Sequence, residues 1–102
     1  MNQLEKLQKT NDSLLEIIRL QADFIASLRA YGNRSENDTL YKSLNFLHHF
    51  SSMRDSTHNM VTQNLIIESA IELKADKDLS LNQKNIIDSL YREYYNFLKL
   101  SS

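Results

Sequence analysis

The chain has 102 residues, no cysteine, no proline and a single glycine, Gly32, with a net charge of -1. That composition excludes disulfides, thiolate chemistry and a glycine-rich phosphate loop, and it lacks the basic excess that nucleic-acid binders carry. The near absence of the two strongest breakers of regular structure predicts an all-α protein, an up-and-down bundle of three or four helices forming one domain over 1–102. A chain of this length buries a modest core, and some domains of this size lean on an oligomer for stability.

The first helix is predicted over 2–31. Leu4, Leu7, Asn11, Leu14, Ile18, Gln21, Ile25 and Leu28 recur at spacings of three and four, and six of the eight are apolar. That is a coiled-coil-like seam, widened by Leu15, Ile17, Ala22 and Phe24. Such a helix would run about 45 Å at about 1.5 Å per residue, long for a compact bundle. Part of it is therefore expected to meet a second copy, giving a homodimer through helix one. Asn11 and Gln21 either fix the register of that seam or mark turns that face water. Gly32, beside Asn33, is a stop signal.

The second helix is predicted over 36–54, capped by Ser35 with Asp38 three residues on. Its core face is read as Leu40, Tyr41, Leu44, Leu47 and Phe50 or Met53, which leaves Phe46 off the face. The residues from Ser51 to Asn59 are small and polar, and such side chains compete with helix for backbone bonds. A break near 54–58, with Ser56 or Thr57 as the new cap, gives a third helix over 57–75. The alternative is one helix from Glu36 to Lys74. Between Ser43 and Ile67 the only charges are Arg54 and Asp55. A charge-poor helix is either sandwiched by neighbours or holds a partner face.

The third helix carries Met60, Val61, Leu65, Ile66, Ile67, Ala70, Ile71 and Leu73. The fourth is predicted over 80–100, with Ser80 as cap and Gln83 closing a capping box. Ile86, Ile87, Leu90, Tyr91, Tyr94, Phe97 and Leu98 form its apolar face, and Tyr95 and Leu100 lie toward the edge.

Few side chains are spaced for chemistry. His48 and His49 diverge by about 100° on a helix, and neither pairs with His58 at the i, i+3 or i, i+4 spacing that seats two ligands on one metal. Asp55 and His58 can pair, but no nucleophile accompanies them. Asp76, Asp78 and Ser80 resemble the start of a calcium loop. However, Leu81 stands where that loop needs glycine and Ile87 where it needs glutamate. No metal, cofactor or catalytic residue is therefore assigned.

The aromatic run from Tyr91 to Phe97 includes Arg92, and tyrosine and arginine are over-represented at interface hot spots. The sequence thus predicts a small non-enzymatic protein-binding factor of inhibitor, immunity or adaptor type, an accessory protein of a bacterium, phage or plasmid. It would dock through a helical face using Tyr91, Arg92, Tyr95 and His49. The alternative is a dimeric nucleic-acid-binding transcriptional regulator with Arg29, Arg34 and Lys42 at a basic edge. The chain has no apolar run long enough to span a bilayer and no apolar leader, so a cytoplasmic location is expected. Its three Asn-X-Ser/Thr sequons carry no weight without export.

Overall fold

A computed structural model describes residues 2–31, 38–51 and 59–101. These form an all-α bundle of four helices: α1 (Gln3–Ser27), α2 (Asp38–Ser51), α3 (Met60–Lys74) and α4 (Leu81–Ser101). The predicted order and number hold, with boundaries that differ by a few residues. The signals expected at Gly32, Arg34 and Ser35, and at Met53, Arg54, Asp55, Ser56, Thr57 and His58, lie outside the described residues.

Helix α1 starts where Asn2 caps it. The Asn2 side-chain oxygen accepts from the Glu5 amide at 2.8 Å. The acidic Glu5 in the first turn also suits the positive end of the helix dipole. The last four residues of the predicted helix tighten into a 3-10 turn, Leu28–Tyr31. A local reason is visible: the Ser27 carbonyl is taken by the Gln83 side chain at 3.1 Å, which competes with continued α-helical pairing.

Helices α1 and α4 are antiparallel neighbours. Ser13 bonds Glu93 near one end of the pair, and Ser27 bonds Gln83 near the other. Helices α2 and α3 pair the same way, through Thr39 with Asp76 and Lys42 with Glu72. The Lys74–Asp88 ion pair, at 2.7 Å, links α3 to α4.

The core gathers Ile17, Leu20, Phe24 and Leu28 from the first segment, Phe46 and Phe50 from α2, Ile66, Ala70 and Leu73 from α3, and Ile87, Leu90, Tyr94 and Phe97 from α4. An edge-to-face chain of rings runs through it. Phe24 meets Phe46 at 6.1 Å, Phe46 meets Phe50 at 4.9 Å and Phe50 meets Tyr94 at 5.5 Å. Rings so arranged add about 0.5–1.5 kcal/mol per pair beyond their burial.

Two predicted faces are corrected. On α1 the buried positions are Ser13, Ile17, Leu20 and Phe24, whereas Leu4, Leu7, Ile18 and Ile25 of the predicted seam face solvent. Asn11 is exposed and Gln21 half-buried. On α2 the buried positions are Thr39, Ser43, Phe46 and Phe50, while Tyr41 and Leu44 are exposed. Phe46 outweighs the smaller apolar residues because its ring joins the aromatic chain. Thr39 and Ser43 tolerate burial because their hydroxyls are bonded, Thr39 to Asp76 at 2.9 Å and Ser43 to the Thr39 carbonyl at 2.7 Å.

Helix α3 does start anew, but Asn59 caps it, in place of Ser56 or Thr57. Its side-chain oxygen accepts from the amides of Val61 and Thr62 at 2.8 and 3.3 Å. The Ser80–Gln83 capping box is formed as predicted. The Gln83 amide donates to Ser80 Oγ at 3.1 Å, and the Ser80 amide donates to Gln83 Oε1 at 2.9 Å. The Gln83 Nε2 then reaches both the carbonyl and the hydroxyl of Ser27, so one box stops α1 and starts α4.

Candidate protein-binding site

Two surfaces gather apolar side chains left outside the core, while Tyr41, Leu44, Met60, Val61, Leu65 and Leu81 are exposed without lining either. The first is the outer face of α1. Leu4, Leu7, Leu15, Ile18 and Ile25 lie there, all more than half exposed. Ala22, also exposed, is on the same side. Ser13 and Phe24 commit the opposite side of the helix to the core, which leaves this stripe uncovered among the described residues. Arg19 borders it and is held along the helix by Glu16 and by Asp23 at 2.9 Å. The bond to Glu16 raises the Arg19 pKa further and lowers that of the Glu16 carboxyl.

The second surface is the groove between α3 and α4. These helices pack less closely than α1 with α4. A cleft of about 230 Å³ between them is lined by Ile67, Ala70, Ile71, Ile87 and Tyr91, with Lys74 and Asp88 at one end. A smaller hollow of about 90 Å³ continues it past Ile67 and Tyr91 to Gln63, Tyr94, Tyr95 and Leu98. Tyr91 and Tyr95 are four residues apart on α4, so they share one helical side and both line the groove. Tyr95 is 53% exposed, with the Lys99 ammonium 4.6 Å from its ring centre. A wider depression, about 400 Å³, lies elsewhere, between Lys9, Asp12 and Ser13 of α1 and Glu93, Asn96 and Leu100 of α4. It is open and bordered by charge, so the tighter apolar groove is the better binding feature.

The four predicted contact residues divide. Tyr91 and Tyr95 come together in the groove. Arg92 is exposed on the outer side of α4. His49 is half-buried on α2, with its ring 6.0 Å from that of His48, and it lines neither surface. Burial, and to a lesser degree the neighbouring His48, push the His49 pKa below the usual imidazole value. The structure adds Gln63, Ile67 and Ile71 to the groove; the two isoleucines belong to an apolar stripe running around α3, and Gln63 carries no signal in the sequence.

One polar cluster braces the turn between α3 and α4. Lys42 reaches Asp38 at 3.2 Å, Asp76 at 3.6 Å and Glu72 at 3.9 Å. The Asp78 amide donates to Asp76 Oδ1 at 2.8 Å, an Asx turn of the kind that stabilises tight connections. Partial burial pushes the Asp76 carboxyl up, but the Asp78 amide, the Thr39 hydroxyl and Lys42 together hold it below the usual carboxylate range. The acids that start a calcium-like loop thus serve as a hydrogen-bonded helix connection. Lys42 spends its charge on them, and Asp38 above all raises its pKa. Of the basic edge expected for a regulator, Arg29 is exposed, Lys42 is neutralised and Arg34 is outside the described residues.

Among the described residues no group of three or more histidine, cysteine or acidic side chains is placed to hold a metal ion, and no helix is long and apolar enough to cross a membrane. No protein-family model matches the chain, and no curated protein or solved structure matches it either.

Proposed function

We propose that this chain is a small non-enzymatic protein-binding factor, of inhibitor, immunity or adaptor type, acting in the cytoplasm. It associates with a second copy through the outer face of α1. It receives a helical segment of another protein in the groove between α3 and α4.

The observation that carries this reading is a ratio. Among the described residues, thirteen large apolar or aromatic side chains are exposed, against fourteen hydrophobic residues in the core. Scattered exposed leucines are ordinary. Here, however, five of the thirteen share one side of one helix, and large contiguous apolar patches mark interaction sites. The groove suits a helix because two parallel ridges with a tyrosine-lined floor accept an amphipathic face at i, i+3, i+4 spacing. Tyr91 and Tyr95 act as anchors of low conformational cost, and the Lys74–Asp88 pair forms a polar rim.

The test of the groove uses the intact protein as bait in cells of its native host, followed by chemical cross-linking and mass spectrometry. One prey protein cross-linked to α3 and α4 is expected with the wild type and with the surface control Lys77→Ala. Loss of that prey in Tyr95→Ala supports the groove as its seat. Equal recovery with Tyr95→Ala and Ile71→Glu would refute it.

A further inference from the structure

The exposed stripe of α1 has a period as well as a composition. Leu4, Gln8, Asn11, Leu15, Ile18, Ala22 and Ile25 follow one another at spacings of four, three, four, three, four and three, and every one is exposed. This is an unbroken heptad seam offset from the buried one, which runs through Ser13, Ile17, Leu20 and Phe24. A repeat averaging about 3.5 residues keeps a stripe facing a second helix along its whole length, which a lone helix of about 3.6 residues per turn has no need to do. The occupant that fits this stripe is another helix.

We propose that the occupant is α1 of a second copy running antiparallel, with Leu15 of each chain against Ile18 of the other. This rests on the self-association read above and specifies its order and register. In that register Asn11 faces Ala22 of the second copy, the smallest residue of the seam, which leaves the amide a route to water. Gln8 faces Ile25, and Leu4 meets the stem of Arg29. No layer stacks two amides.

The flanks decide the direction. Asp12 and Arg19 sit seven residues apart on the same edge of the seam. Antiparallel helices bring matching edges together. Asp12 of each chain then lies beside Arg19 of the other, giving two symmetry-related ion pairs. Arg19 already bonds Glu16 and Asp23, and a guanidinium with five N–H donors can serve a further carboxylate. A parallel pair would place Asp12 beside Leu7 and Arg19 beside Leu14, and would bury Gln8 on Gln8 and Asn11 on Asn11.

The chain has no cysteine, so an introduced thiol is the only one present. Gln8→Cys and Ile25→Cys both alter exposed positions and leave the core untouched, which circular dichroism checks. Under mild oxidation each variant alone is expected to stay unlinked. An equal mixture is expected to give a disulfide-linked pair, and the double variant a doubly linked dimer. Self-linking of either single variant would overturn the antiparallel order while leaving self-association standing. Wild-type protein that sediments as a monomer up to millimolar concentration would overturn both. As a second reading, Arg19→Glu is expected to weaken the dimer roughly tenfold, as two lost surface ion pairs imply. Adding Asp12→Arg, which restores both pairs with reversed polarity, is expected to recover it. Failure of that recovery would refute the Asp12–Arg19 register.

Discussion

Replacing Tyr94 by phenylalanine removes one oxygen from the middle of the bundle. Tyr94 is 2% exposed, and its hydroxyl is buried with no hydrogen-bond partner among the described residues. A hydroxyl taken from water without a compensating bond costs about 1–3 kcal/mol. The ring itself stays, and with it the edge-to-face contact with Phe50 at 5.5 Å. Tyr94→Phe is therefore expected to stabilise the protein by about 1 kcal/mol, a rise in Tm of about 4–8 °C for a chain of this length. The direction is the informative part, because most substitutions in a core destabilise. Thermal and urea unfolding followed by far-UV circular dichroism measure it. The substitution also has a pH signature. Burial, and then Tyr91, raise the Tyr94 pKa above the usual phenol value. The folded state thus binds this proton more tightly than the unfolded chain. The resulting stability is present in full below about pH 10 and is lost as pH rises through the folded value. Tyr94→Phe should flatten the alkaline limb of the stability curve. A variant less stable than wild type at neutral pH would refute the reasoning, because it would mean that the hydroxyl is bonded in solution.

Three further substitutions probe the frame. Ser80→Ala removes the cap of α4 and leaves the Gln83 backbone amide without its Ser80 Oγ acceptor, so urea unfolding should show a loss of about 1–2 kcal/mol. Phe24→Ala opens the aromatic chain at a fully buried site and should cost about 3–5 kcal/mol, enough to leave a marginal domain largely unfolded by calorimetry. The Asp76 carboxyl is held below its unfolded value, so it contributes stability above about pH 4 that fades as pH falls through the folded pKa. Asp76→Asn should cost about 1–3 kcal/mol at neutral pH and make acid unfolding shallower. An unchanged acid limb would contradict the Thr39–Asp76–Lys42 assignment.

The sequence was most legible where residue type and spacing left one solution. Ser80 and Gln83 admit a capping box, and Ile87, Leu90, Tyr94 and Phe97 give α4 a single apolar side. Helix α1 is less legible because it carries two apolar seams, and periodicity alone does not choose between them. The choice depends on Ser13, which reads as polar but is buried because Glu93 Oε1 accepts its hydroxyl at 2.7 Å. Thr39 and Ser43 misdirect the reading of α2 in the same way, since their hydroxyls find partners that no local pattern announces. Of the binding residues, Tyr91 and Tyr95 could be read as an i, i+4 pair. Ile67 and Ile71 could not, because apolar residues surround α3 on every side and only its packing against α2 and α4 decides which remain in the groove. His49 shares no surface with the tyrosines because α2 packs chiefly against α3, away from the groove that α3 forms with α4.

The claim on which most else depends is that the outer face of α1 is made to be covered. Sedimentation equilibrium of the wild type beside Ile18→Glu tests it most directly. Ile18 is 60% exposed, so the substitution leaves the core intact and places a charge in the centre of the stripe. The wild-type mass should rise with concentration from 11.9 kDa toward twice that value, while Ile18→Glu stays at the monomer mass with an unchanged helical spectrum. Identical monomer masses for the two proteins at every concentration would contradict it.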